Sequence, residues 1–149
     1  MEGAKAPGFT LPTEKGERVS LGDFLGKKVV LYFYVKDFTT GCTNEACSFR
    51  DGFKEIQRRG TVVLGISVDG VESHKKFASK YSLPFTLLSD AGAEVAKMYG
   101  VWKLKNLYGK KYWGVERSTF MIDEQGKIKK ALRKVRVDGH FDEVLSGLY

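Results

Sequence analysis

KVVLYFYVKDFTTGCTNEACSFRDGFKEIQRRGTVVLGISV, residues 28–68, decides the fold. Lys28 to Tyr34 is a nearly unbroken run of β-branched and aromatic side chains, the pattern of a strand covered on both faces. A polar turn follows from Lys36 to Gly41. Cys42 to Arg59 then carries apolar residues at Cys42, Ala46, Phe49, Phe53 and Ile56, which is helical spacing. Gly60 stands where a glycine closes a helix, and Thr61 to Val68 repeats the covered-strand pattern. Strand, helix and strand within about 40 residues predict a right-handed parallel crossover.

Outward from this unit, Phe9-Thr10-Leu11 and Arg18-Val19-Ser20-Leu21 around Glu14-Lys15-Gly16 read as a small N-terminal β-hairpin. Val71 to Tyr81 is a second helix, Pro84 to Leu88 a short strand and Glu94 to Tyr99 a further helix. Trp102 to Trp113, rich in lysine and aromatics, reads as an irregular loop packing its rings over one end of the sheet. A stacking platform for single-stranded nucleic acid is its functional rival. Ser118 to Ile122 and Ile128 to Val135 flank the turn Asp123-Glu124-Gln125-Gly126 as an antiparallel hairpin, and Phe141 to Leu148 is a closing helix. This order is that of an α/β, thioredoxin-like fold: a mixed central sheet flanked by helices, with an N-terminal β-hairpin extension.

The 149 residues suit one domain, 1–149, and a chain of that length buries roughly 70% of its unfolded surface. With 42% hydrophobic and 29% charged residues, the composition excludes a disordered, collagenous or coiled-coil chain. The longest apolar run, Val29 to Val35, is far too short to span a bilayer. Met1 to Pro7 lacks the basic start and apolar stretch of a secretory signal, so a cytoplasmic protein with no membrane role is expected. Lys+Arg 25 against Asp+Glu 18 gives a net charge of +7. The basic residues come as scattered pairs, from Lys27-Lys28 to Arg133-Lys134, rather than as one tract, and no nucleic-acid role is expected from them.

Two cysteines, Cys42 and Cys47, fall where the first crossover helix begins. Cys42 lies just past the C-terminal end of a central strand, where α/β sheets bind their ligands, with Thr39, Thr40 and Gly41 before it to cap the helix. Free cysteine titrates near 8.5, and making a thiol mostly thiolate at neutral pH takes about 2.7 kcal/mol. A helix N-terminus supplies about 1 kcal/mol, so a hydroxyl donor and a cation are needed besides. Residues five apart on a helix have Cα atoms about 8.7 Å apart and side chains about 140° apart, beyond the ~7 Å limit of a disulfide. Cys42 and Cys47 therefore either never pair or pair only when at least a turn of helix unwinds.

Val29 to Tyr34, Lys36-Asp37, Thr39, Gly41-Cys42-Thr43, Glu45-Ala46-Cys47 and Phe49-Arg50-Asp51 closely resemble the peroxiredoxin Q (bacterioferritin comigratory protein) family. So do Ala6-Pro7-Gly8-Phe9, Gly65 to Asp69 and Gly114 to Phe120, and the resemblance covers nearly the whole chain. It implies that Cys42 is the peroxidatic cysteine and Cys47 the resolving one. Thr39 would hydrogen-bond the thiolate and the peroxide, Arg117 would supply the cation beside Cys42, and Glu45 would orient that arginine. The implied activity is reduction of hydrogen peroxide and organic hydroperoxides, through an intramolecular disulfide recycled by a thioredoxin-like dithiol protein. Neither a metal nor an organic cofactor is required, and a monomer or weak homodimer is expected.

Two positions depart from the family pattern: Val35 and Thr40 stand where prolines are usual, which bears on the rigidity of the loop. A zinc set of Cys42, Cys47, His74 and His140 is disfavoured by the distance between the histidines in sequence. Gly65-Ile66-Ser67-Val68-Asp69 misses the hydrolase nucleophile elbow at its fifth position. The alternative function is a thioredoxin-fold redox sensor or binding module, using the same cysteine switch without efficient turnover.

Overall fold

A computed structural model describes residues 2–147. Its centre is a five-stranded sheet in the order β5-β4-β3-β8-β9, from β3 (Lys28–Phe33), β4 (Thr61–Ser67), β5 (Thr86–Ser89), β8 (Ser118–Ile122) and β9 (Ile128–Leu132). β3 pairs parallel with β4 and β4 with β5, while β8 runs antiparallel to both β3 and β9. The sheet is thus mixed, as the crossover and the hairpin predict. β1 (Thr10–Pro12) and β2 (Arg18–Ser20) form the N-terminal hairpin.

Alternation along β3 divides the core in two. Val29, Leu31 and Phe33 face one cluster, with Val95, Ala96 and Tyr99 at α4 (Glu94–Met98). Val30 and Tyr32 face the other, with Ala46 and Phe49 of α1 (Thr40–Asp51), Ile56 of α2 (Phe53–Arg58), Phe77 of α3 (Val71–Tyr81) and Val144 of α5 (His140–Ser146). Both faces being covered explains why β3 reads as one apolar run rather than as alternating polar and apolar residues. No helix among the described residues is long and apolar enough to cross a membrane.

Three expectations need correction. The helix predicted over Cys42 to Arg59 is two helices separated by Gly52. A Cβ at Gly52 would lie 1.9 Å from Phe141 Cζ, so α5 packs its ring onto bare backbone there. Gly60 does close α2, with a φ of +68°.

The stretch predicted as an irregular loop is a β-hairpin, β6 (Trp102–Leu107) with β7 (Lys110–Val115). Tyr108 and Gly109 both take positive φ, +52° and +81°, the conformation of a two-residue hairpin turn. Its aromatics are largely exposed rather than packed over the sheet, Tyr108 at 99% and Trp113 at 58%. Finally, the second hairpin strand stops at Leu132 rather than Val135, and α5 runs His140–Ser146. Leu148, predicted as the end of that helix, lies outside the described residues.

Candidate active site

β3 hands the chain to α1 through residues 34–39, and a buried polar network fixes that loop. Tyr34 Oη donates to Asp37 Oδ1 at 2.5 Å and Ser73 Oγ to Asp37 Oδ2 at 2.8 Å. His74 Nδ1 lies 2.7 Å from Asp37 Oδ2, with both side chains essentially inaccessible. The other ring nitrogen faces the Leu88 carbonyl at 2.9 Å, so it carries a proton. Asp37 N–H in turn donates to Asp69 Oδ2 at 2.7 Å. A buried carboxylate so fully partnered holds its backbone in one place. It sits directly before Phe38, whose φ of +67° is uncommon for an aromatic residue.

Thr39 is the N-cap of α1, extended at φ −74° and ψ 151°. Its hydroxyl does not cap the helix: it donates to the Lys36 carbonyl at 2.8 Å, leaving its oxygen lone pairs to accept, so it is not the donor to the Cys42 thiolate that the resemblance implies. Thr40 is the first helical residue, where the N–H has no intrahelical acceptor and proline is well tolerated. Threonine in place of proline there keeps the helix and adds one donor. Val35 is partly exposed and Tyr34 N–H, beside it, still donates to the Ile66 carbonyl at 3.0 Å.

Cys42, third in α1, is buried at 1% exposure, whereas Cys47 is half-buried, and both are free. Arg117, between β7 and β8, reaches across to it. Nη2 donates to Cys42 Sγ at 3.0 Å and Nη1 to Glu45 Oε1 at 2.5 Å. A Cβ on Gly41 would come within 3.3 Å of Arg117 Nη2, so the bare residue lets the guanidinium close on the helix start. Burial works against the Arg117 charge, but Glu45 and the Cys42 sulfur raise its pKa overall.

Glu45 lies one turn after Cys42 on the same face, as i and i+3 residues do. Burial pushes its carboxyl up from 4.5 to about 7, against the pull of Arg117. Its Oε2 has no hydrogen-bond partner and sits 3.9 Å from His140 Nε2, so a proton on Glu45 belongs on that oxygen. The neighbours His140 and Tyr32 have no signal in the sequence that marks them. His140 contacts Thr119 Oγ1 at 2.7 Å and Glu143 at 3.1 Å, and burial lowers its pKa. Burial, followed by Glu45 and Cys42, holds Tyr32 well above the usual tyrosine range.

An acid whose pKa is higher folded than unfolded keeps a proton that the unfolded chain releases. The Glu45 contribution to stability therefore falls as pH rises from about 4.5 through about 7. Urea unfolding of the wild type beside Glu45→Gln is expected to show this, with the wild type losing about 3 kcal/mol relative to the variant between pH 4.5 and 8. Parallel pH profiles would assign the proton to another group.

The histidines of the disfavoured zinc set belong to separate networks, His74 to Asp37 and His140 to Thr119 and Glu143. Among the described residues, ligand atoms of Asp37, Asp69 and His74 lie within 4.8 Å of one another. Those atoms are already engaged with one another and with Tyr34, Ser67 and Ser73. Hydrogen bonding thus accounts for the cluster without an ion.

The AhpC/TSA family model matches residues 3–131. The chain belongs to the AhpC/TSA family. Within that family it is 49% identical over 146 residues to peroxiredoxin Bcp of Bacillus subtilis, covering 98% of this chain and 93% of the relative. A Coxiella burnetii relative is 58% identical over 146 residues, with 98% and 97% covered. Peroxiredoxin Q of Xanthomonas campestris superposes with a TM-score of 0.90 at 40% identity, covering 93% of this chain and 88% of that one. As a peroxiredoxin of the AhpC/TSA family the protein is a thiol peroxidase with a thioredoxin-like fold.

Proposed function

We propose that Cys42 is the peroxidatic cysteine, resolved by Cys47, and that Arg117, Thr39 and Glu45 complete the catalytic site. One observation carries the reading: the Arg117 guanidinium bridges Cys42 Sγ at 3.0 Å and the buried Glu45 carboxylate. It is the cation that the chemistry of a neutral-pH thiolate requires, and its partner fixes its orientation.

The Cys42 thiolate attacks the nearer oxygen of ROOH in line. An S–O bond forms as the O–O bond breaks, and the departing RO⁻ takes a proton to leave as ROH, with R hydrogen or an organic group. The product is the Cys42 sulfenic acid. Arg117 Nη2 and the unpaired N–H groups of the first turn of α1 follow the charge as it moves onto the oxygens. Thr39, whose own proton is committed to the Lys36 carbonyl, accepts from the peroxide O–H and holds it for attack.

The first turn of α1 then unwinds, because both cysteines lie within that helix and cannot bridge across it. The Cys47 thiol attacks the sulfenic sulfur, forming the disulfide and releasing water. A thioredoxin-type dithiol reductant returns both thiols by exchange, becoming a disulfide itself. The domain 1–149 is proposed to act whole, in the cytoplasm, as a monomer or weak homodimer.

The deciding experiment mixes reduced protein with one equivalent of hydrogen peroxide and follows intact mass, then supplies excess peroxide with a thioredoxin system. The expected result is rapid loss of two hydrogens, a mapped Cys42–Cys47 disulfide, and many turnovers. A single stoichiometric oxidation with no recycling would favour the sensor instead.

A further inference from the structure

The β6–β7 hairpin is hard to account for as a part of the core. Five of the nine large hydrophobic side chains exposed among the described residues are on it: Leu104, Leu107, Tyr108, Tyr112 and Trp113. Its base is tied in through buried Val115, the packed Trp102 and the Glu116 N–H bond to the Val101 carbonyl at 2.8 Å. From there it extends about 17 Å. Lysines commonly guard the free edges of such a ribbon against stray pairing. Edge protection explains the charge, but not the apolar surface interleaved with it, which marks contact surfaces.

Register sorts these residues by face. The pairs Lys103↔Gly114, Lys105↔Tyr112 and Leu107↔Lys110 share one side of the ribbon. A Cβ on Gly114 would meet Lys105 and Tyr112 at 3.5 Å, which sets those side chains together. One side is therefore basic and aromatic. It borders the active site, because β7 leads within two residues to Arg117, and Lys105 is half-buried, with burial and then the Arg117 charge lowering its pKa.

We propose that this face, Lys103, Lys105, Leu107, Lys110 and Tyr112, is the docking surface for an acidic dithiol protein that reduces the Cys42–Cys47 disulfide. The proposal rests on the peroxidase reading above and adds the place and charge of its reductant. Complementary charge guides such a partner to the site and sets its register. A second copy of the chain fits poorly, since it would bring lysines against lysines on a molecule already carrying +7.

The test uses Lys103→Glu/Lys110→Glu and Tyr112→Ala beside the wild type, with a thioredoxin of net negative charge as the probe. Single-turnover oxidation by peroxide and dithiothreitol-driven turnover are expected to stay within about twofold. KM for thioredoxin is expected to rise about tenfold in the charge-reversed variant, and the wild-type KM to rise with salt. An unchanged KM overturns the proposal, as does a wild type that dithiothreitol recycles and thioredoxin does not.

Two further results would also overturn it. One is an unmoved KM with loss of wild-type affinity for a single-stranded oligonucleotide; the other is an unmoved KM with loss of a wild-type dimer in light scattering. If Cys42 fails to react with peroxide at all, the peroxidase reading falls first, and the single-turnover arm reports that separately.

Discussion

Cys42→Ser is expected to leave the protein inert to peroxide, with no rapid mass change and turnover at the uncatalysed background. Cys47→Ser is expected to oxidise once at the wild-type rate and stop, one oxygen heavier. The contrast follows from where the two sulfurs lie. Cys42 is buried in the first turn of α1 under the Arg117 guanidinium, which donates to its sulfur, whereas Arg50, the cation whose charge reaches Cys47, donates to Asp51 and the Tyr81 carbonyl. Cys47 is half-buried in the same helix, about 140° around its axis from Cys42. A serine at 42 removes the nucleophile, and nothing placed there can substitute. A serine at 47 removes only the second thiol, so the sulfenic acid persists until an external thiol arrives. Intact mass and a sulfenic-acid trap read both results. Oxidation of Cys42→Ser at the wild-type rate would return both cysteines to the core.

Arg117→Ala is expected to slow sulfenic acid formation by ~10²–10³-fold, the usual loss when a preorganised donor to a developing charge is removed. Two things disappear together: the Nη2 donor to Cys42 and the positive partner of Glu45. The carboxylate left behind is nearly inaccessible, and its second oxygen already has no partner. Stranding a charge in such a place costs about 3–5 kcal/mol, so the variant is expected to unfold at lower urea, most visibly at high pH where Glu45 is ionised. Arg117→Lys keeps the charge but not the planar fork that spans two acceptors, and is expected to recover part of the rate. Competition for peroxide gives the rate, and denaturation at pH 6 and 8 gives the stability. An Arg117→Ala enzyme within threefold of wild type would remove the arginine from the mechanism.

Much of this was legible in the sequence because it is local. The runs Lys28 to Tyr34 and Thr61 to Val68 carry their own strand signal, and Cys42 carries its position at a strand end and helix start. Resemblance supplied Arg117, which no local pattern singles out 75 residues away in sequence from the sulfur it contacts. The break at Gly52 was not readable, because apolar spacing continues through Phe53 and Ile56 and the ring that requires a glycine belongs to Phe141. The β6–β7 hairpin was missed because lysines and aromatics occupy both faces, hiding the alternation, and Tyr-Gly is a less obvious turn than Asn-Gly. Its turn residues still adopt the two positive φ angles such a turn needs. The partnership of Asp37 with His74, 37 residues apart, depends on helix α3 docking against the strand ends, which only the assembled fold brings about.

The interruption at Gly52 has the character of a firebreak. A helix melts cooperatively, so disorder started at one end tends to run along its length. Here the unwinding proposed to join the two sulfurs would begin beside Asp37, whose network is fixed, and would meet Gly52 after the 12 residues of α1. Beyond it α2 has its own start, its own apolar anchor in Ile56 and its own glycine stop. Each catalytic cycle can then spend local order at the cysteines while the rest of the core remains cohesive, and refolding after reduction has one short segment to rebuild.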